Sequence, residues 1–338
     1  MRDKGTVISA EDSAPKRRAG WNCRLLTRPD GHHIRIAGWG AEPPAAARGS
    51  VLLLTGRNET LEKYEEQAED WCRRGWRVVG MDWRGQGGSS RYLDNRHKGH
   101  VPDFQVFLDD LGAGLEALLP PGSARPVIAF AHSMGGHVLM RYLAEQAAAG
   151  RDHPVTAAIL SAPMLGIYTG AVPAGLLRRI AARLVARGRG DAYVPGQTDW
   201  SPADPAFARN LLTGDPERFL IGHRAYAADP NLAQGGITWG WLDAAFRSMD
   251  RLETPGLAEG MTVPVLILTG GRDRIVRNDR HAAMARRLPR GRQRHHPDAR
   301  HELMMEADPI RNAVWADIDA YLAEVLPRPV EPGTQMPQ

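Results

Sequence analysis

Val127-Ile128-Ala129-Phe130-Ala131-His132-Ser133-Met134-Gly135-Gly136 is the stretch that decides the fold. Val127 to Ala131 is a short continuous apolar run, the mark of a strand buried on both faces. From Met134 to Ala149 the pattern turns helical, and Gly150 closes it. Ser133 is therefore forced into a sharp strand-to-helix turn. The residues two before and two after it must be small, or their side chains clash across the turn; they are Ala131 and Gly135. This is the small-x-Ser-x-Gly elbow, with Ala in place of the first Gly. The turn lifts the hydroxyl above the sheet and aims the Met134 N–H, at a helix N-terminus, toward developing negative charge. A helix-capping serine is the plain alternative. The strand before it and the helix after it favour the elbow.

Outward from the elbow the same alternation recurs. Val51–Leu54, Trp76–Met81, Val155–Leu160 and Val263–Leu268 read as buried strands, with helical runs between them. Such alternation predicts an α/β fold: a mostly parallel central sheet with helices on both faces. Two further strands, Cys23–Thr27 and His32–Trp39, flank the turn Pro29-Asp30-Gly31. Asp103 is the expected cap of the helix carrying Phe107, Leu111 and Leu115. A helix near Asn278–Leu288, a weak strand near Gln293–His296 and a last helix capped by Asp308, with Pro309 in its first turn, complete the core. Residues 163–262 interrupt the alternation with helical pieces and no clear strand, which predicts a helical cap or lid. The expected organisation is a disordered segment over 1–20, a core over 21–162 and 263–326, the cap over 163–262, and a flexible tail over 327–338.

A serine hydroxyl needs a base to take its proton, and the base needs an orienting acid. After such an elbow the acid comes next in the chain and the histidine last. Asp273 follows the strand Val265–Leu268 in Gly270-Gly271-Arg272-Asp273, where a carboxylate points into the crevice at the strand ends. His301 follows the last strand and precedes the final helix, unlike His295 and His296, which lie in or next to that strand. A metal site built from the three histidines lacks any recognised ligand spacing. Thr55-Gly56-Arg57-Asn58 follows the first core strand, so the Arg57 N–H is the expected second oxyanion donor beside Met134. Arg84-Gly85-Gln86-Gly87-Gly88 lacks the Lys-Ser/Thr ending of a phosphate loop. It reads as a tight turn, with Asp82 and Arg84 as a structural pair.

The chain has 338 residues, 43% hydrophobic and 24% charged, with a formal charge of +4, so nucleic acid is not an expected partner. Cys23 and Cys72 allow one bridge at most, and reduced thiols are expected. Met1–Arg18 has no apolar stretch of signal type, and no run approaches the length of a membrane span. A cytoplasmic location follows as the expectation, with at most peripheral attachment at the inner face of the membrane.

Taken together, Asp82–Ser89, Ala131–Gly136, Gly270–Asp273 and Arg300-His301-Glu302-Leu303 resemble the bacterial lysophospholipase and monoacylglycerol lipase group of the α/β hydrolases. Lys98-Gly99-His100-Val101, Leu212-Thr213-Gly214-Asp215 and Gly235–Trp239 are similar to that group as well. The resemblance implies the α/β-hydrolase fold, no cofactor, no metal, and hydrolysis of a single-chain lipid ester through an acyl-enzyme. Short-chain esterase, thioesterase and aminopeptidase activities use the same machinery, and a ligand-binding module without turnover is the rival from another class. The chain departs from the group at Thr55-Gly56, where relatives usually carry His-Gly. In the insertion, Leu176–Arg189 reads as an amphipathic basic helix, suited to packing on the core or to contact with an anionic bilayer. Trp239, Trp241 and Phe246 are candidates for an acyl-pocket wall or for cap packing.

Overall fold

The computed structural model describes residues 7–8, 20–40, 47–120, 122–123, 125–203 and 205–326. The expectations for residues 1–19, for most of the Pro43–Arg48 loop and for the tail 327–338 thus lie outside the described residues, apart from Val7–Ile8. Among the described residues nine strands form one sheet in the order β1-β2-β3-β5-β4-β6-β7-β8-β9. Strands β4 (Ser50–Leu54), β6 (Val127–His132), β7 (Ala157–Ser161) and β8 (Val265–Gly270) are buried at every position, as their apolar runs predict. They run parallel with β5 (Arg77–Met81) and with β9 (Gly291–His296). The antiparallel edge is β1 (Val7–Ile8), β2 (Trp21–Thr27) and β3 (His33–Trp39).

Register matters most at the carboxyl ends. Leu54 lies opposite Ala131, His132 opposite Ser161, Ser161 opposite Leu268, and Gly270 opposite His296. The loops after β4, β6, β8 and β9 therefore leave the sheet along one edge, where α/β proteins gather their ligands.

Helices α1 (Glu65–Arg73), α2 (Gln105–Leu118), α3 (Ser133–Ala148), α7 (Asn278–Arg287) and α8 (Asp308–Val325) cover the sheet. Trp71 of α1 is the hub of one layer, with its ring 4.8 Å from Trp315 of α8 and 6.5 Å from Phe130 of β6. Each such fully buried ring or aliphatic side chain contributes about 1.5–3 kcal/mol. Phe104, not Asp103, stands at the cap position of α2 and makes no side-chain cap bond; Asp103, one residue before it, accepts from the Gln105 N–H at 2.8 Å. Asp308 is not the cap of α8: Ala307 stands there, and the Asp308 carboxylate turns to Arg218 at 2.7 Å.

Between β7 and β8 the chain makes α4 (Ala174–Ala186), α5 (Pro216–Ala228) and α6 (Trp239–Leu252). Asp215 and Thr238 cap α5 and α6. Single backbone bridges tie this connection down, Gly99 to Ile237, Tyr193 to Thr238 and Ile167 to Val276. Helix α4 packs Ala181 inward and leaves Leu176 and Ile180 exposed. Among the described residues, no helix is long and apolar enough to cross a membrane.

Candidate active site

Ser133 begins α3 at φ +50°, in the left-handed region that a serine rarely enters. The small neighbours that the elbow demands are explained by its surroundings. A Cβ on Gly135 would come within 2.5 Å of the Thr55 carbonyl oxygen and 2.9 Å of that of Leu54. Ala131 is fully buried, and its methyl group fits where most such elbows use glycine.

The strained turn delivers the Ser133 hydroxyl to an imidazole. Ser133 Oγ lies 3.0 Å from His301 Nε2, and His301 Nδ1 lies 2.7 Å from Asp273 Oδ2. The carboxylate only accepts, so Nδ1 carries the proton and Nε2 is the free base facing the hydroxyl. Asp273 Oδ1 accepts from the N–H groups of Ile275 (2.7 Å) and Val276 (3.1 Å), which fix its plane. Burial works to raise its pKa, but the His301 hydrogen bond and charge and these two amides outweigh it and hold the carboxyl below its ordinary value. The three sequence-predicted side chains thus meet, each buried, at the sheet edge described above.

The Met134 N–H opens α3, where a first-turn amide has no intrahelical partner. Across from it lies the Gly56–Asn58 loop, which is held by groups that the sequence reading missed. Glu59 Oε2 accepts from the Gly56 N–H at 2.5 Å and from the Tyr64 hydroxyl at 2.5 Å. Gln86 donates to the Gly56 carbonyl at 2.7 Å and accepts from the Asn58 N–H at 3.2 Å. The Thr55-Gly56 departure therefore leaves a closed local network. Gln86 belongs to the glycine-rich turn, so that turn supports the loop. The expected Asp82–Arg84 pair does not form: Asp82 accepts from Arg35 at 2.6 Å, and Arg84 is held by Asp110 at 2.7 and 2.9 Å. Asp82 is spent on Arg35 from β3, and Arg84 on Asp110 from α2.

A second cluster underlies both loops. The Lys63 ammonium bridges Glu59 Oε1 at 2.8 Å and Glu302 Oε1 at 2.5 Å, and all three are buried. His132, next to the nucleophile, faces Glu59 at 3.8 Å, and its ring lies 4.8 Å from that of His301. Burial pushes the His132 imidazole down to about 4, so it stays neutral at pH 7. Burial penalises the Glu59 charge as well, yet the Lys63 charge overcomes it and holds this carboxyl well below the usual range. Glu59, His132 and Glu302 offer donor atoms within 4.8 Å of one another, a spacing that would suit a metal ion. The Lys63 ammonium already supplies the positive charge between the two carboxylates. The sequence signals were modest: Glu59 and Lys63 at i,i+4, and Glu302 beside His301.

The rejected histidine metal site is scattered. His301 is spent on Asp273, His296 faces Asp317 at 3.3 Å, and His295 is exposed. Trp239, Trp241 and Phe246 are all buried in α6. Trp241 packs edge-on against Phe104 at 5.7 Å and lies under the Arg57 guanidinium at 5.9 Å, while Arg178 covers Phe246.

A strained serine elbow at the carboxyl edge of a parallel sheet, with its hydroxyl on an imidazole and the imidazole on a carboxylate, defines a serine hydrolase of the α/β-hydrolase class. Residues 45–308 match the family model of the serine aminopeptidase, S33 group, and the chain belongs to that family. Lysophospholipase L2 of Escherichia coli K12 is 33% identical over 80% of this chain and 79% of its own length. Probable lysophospholipase L2 of Haemophilus influenzae is 29% identical, over 83% and 86%. Among solved structures, a soluble variant of monoglyceride lipase from Saccharomyces cerevisiae shares the fold with a TM-score of 0.69 at 18% identity, covering 93% of this chain and 99% of that one. A thermostable carboxyl esterase from Bacillus coagulans gives 0.69 at 18%, covering 91% and 99%.

Proposed function

We propose that this protein hydrolyses single-chain lipid esters, lysophospholipid or monoacylglycerol, through an acyl-enzyme on Ser133. The observation that carries the reading is the unbroken contact from Ser133 Oγ to His301 and from His301 to Asp273. Ser133 Oγ attacks the ester carbonyl carbon as His301 Nε2 takes its proton. Asp273 holds the imidazole and stabilises its charged form. The Arg57 and Met134 N–H groups receive the oxyanion, each worth about 10²–10³ in kcat. The tetrahedral intermediate collapses, and His301 returns the proton to the departing alcohol. Water, deprotonated by the same imidazole, then attacks the acyl carbon and frees the fatty acid and Ser133.

Two lysophospholipase relatives that align over most of the chain support the lipid ester. Residues 163–262 act as the cap over the site, and Trp239, Trp241 and Phe246 wall the acyl chain. Leu176 and Ile180 stand exposed on α4 beside Arg179, Arg183 and Arg187, with Val172 exposed just before the helix. That pairing of apolar and basic groups suits peripheral contact with an anionic bilayer. The free thiols of Cys23 and Cys72 fit a reducing, cytoplasmic setting at its inner face.

The test is an activity panel of lysophospholipid, monoacylglycerol and p-nitrophenyl esters, acyl chains from acetyl to palmitoyl, with Ser133→Ala as control. Turnover should rise with chain length and vanish in the control. A flat profile would point to a short-ester hydrolase, and turnover of only thioesters or peptides would reassign the substrate.

A further inference from the structure

In the loop after β4, the residues on both sides of Arg57 are spent. The Gly56 N–H and carbonyl are held by Glu59 and Gln86, and the Asn58 N–H by Gln86. The Asn58 carbonyl and Oδ1 both accept from the Tyr226 hydroxyl, at 2.9 and 3.0 Å. Asn58 itself sits at φ +58°, so the loop bends sharply there and the clamps on both sides keep it bent. Arg57 is the exception. Its guanidinium gives one long hydrogen bond, Nη1–H to the Gly235 carbonyl at 3.3 Å, and rests over the Trp241 ring.

No carboxylate among the described residues pairs with that cation. Glu59, the one carboxylate whose charge is seen to act on Arg57, has its Oε1 taken by Lys63 and its Oε2 by Gly56 and Tyr64. Burial lowers the Arg57 pKa, as expected for a cation drawn from water without a counter-ion. Both contacts of the guanidinium, Gly235 and Trp241, belong to the connection between β7 and β8. The side chain therefore spans the crevice between that connection and the oxyanion loop. A planar fork with unspent N–H donors in such a place matches the geometry of a phosphate, which it can grip bidentately.

The location narrows the ligand further. The Arg57 amide is the proposed oxyanion donor, so the guanidinium lies one side chain away from the scissile carbonyl. In a lysophospholipid the phosphate lies one glycerol away from that carbonyl. Monoacylglycerol has no anion to offer. We propose that the Arg57 guanidinium binds the phosphodiester of a lysophospholipid head group and sets a preference for lysophospholipid over monoacylglycerol. The substrate half of this statement rests on the lipid-ester reading above.

Two measurements on the full chain test it separately from that reading. The first compares kcat/KM for 1-oleoyl lysophosphatidylglycerol and 1-monooleoylglycerol in wild type, Arg57→Met and Arg57→Lys. The ratio should fall at least tenfold in Arg57→Met, mostly through KM, and less in Arg57→Lys. A ratio unchanged within twofold would overturn the proposal while leaving the lipid-ester reading intact. The second measures competition against p-nitrophenyl acetate by glycerol 3-phosphate, inorganic phosphate and glycerol. Glycerol 3-phosphate should inhibit wild type best and lose at least tenfold in potency in Arg57→Met. If it does so while no long-chain lipid is turned over, the anion site stands and the lipid-ester reading falls. Inorganic phosphate acting equally well would overturn the head-group assignment, and absence of any competition would overturn the site.

Discussion

Removing the Lys63 ammonium isolates what the buried cluster contributes. Lys63→Met keeps most of the side-chain volume and leaves Glu59 and Glu302 facing each other without a cation. Deleting one member of a buried ionic pair costs about 3–5 kcal/mol. At about 2 °C per kcal/mol for a chain of this order of size, the melting temperature at pH 7 should drop by roughly 6–10 °C. The pH dependence is the sharper part. In wild type the Glu59 pKa is depressed by Lys63, so its contribution is present above the unfolded carboxylate pKa and is lost as pH falls. In Lys63→Met the largest influence opposing burial is gone and that pKa rises, so the penalty is largest at neutral pH and fades as the carboxyl protonates. The gap between the two melting temperatures should therefore narrow steadily from pH 7 to pH 4. The assay is thermal unfolding by circular dichroism across that range. A variant within 2 °C of wild type at pH 7, or a gap that widens on acidification, would refute the reasoning.

Three further outcomes follow. Asp273→Asn should keep the fold but lower kcat by about 10³–10⁴, because the amide favours the wrong imidazole tautomer; steady-state kinetics beside a melting curve would show this. Gly135→Ala should yield little folded protein, since its Cβ meets two backbone carbonyls of the β4 end that cannot move apart; soluble yield and circular dichroism report it. Wild-type stability should fall on acidification below pH 6.5, first through buried imidazoles and then through Glu62. His132, His137 and His281 are pushed by burial to about 4, 3 and 4, so the unfolded chain binds their protons first, and Glu62, held to about 2 by Arg35 against its burial, follows. A melting temperature flat from pH 7 to pH 4 would contradict those shifts.

What could be read from the sequence was what short-range rules control. The elbow is a steric statement about five consecutive residues, so Ala131, Ser133 and Gly135 announce it without the rest of the chain. Apolar runs announce β4, β6, β7 and β8 because both faces of each strand are buried. Asp273 and His301 follow from their places after strands. The supporting groups were less legible, because their partners are remote. Lys63 and Glu302 are 239 residues apart, and the Arg84–Asp110 pair replaced a nearer one expected in the same turn. Burial, which no local pattern states, sets the electrostatic character of Arg57, and for Glu59 it is overcome by the Lys63 charge. The start of α8 shows the same limit at small scale: Asp308 looks like a cap until Arg218, 90 residues away, claims its carboxylate.

Intact-mass and peptide analysis after treatment with a fluorophosphonate reaches the core of the account most directly. One phosphonyl group should appear on the peptide carrying Ser133, be absent in Ser133→Ala, and form at least a hundredfold more slowly in His301→Gln. Labelling that ignores either substitution, or that falls on another residue, would mean that the hydroxyl at the elbow is not the activated nucleophile.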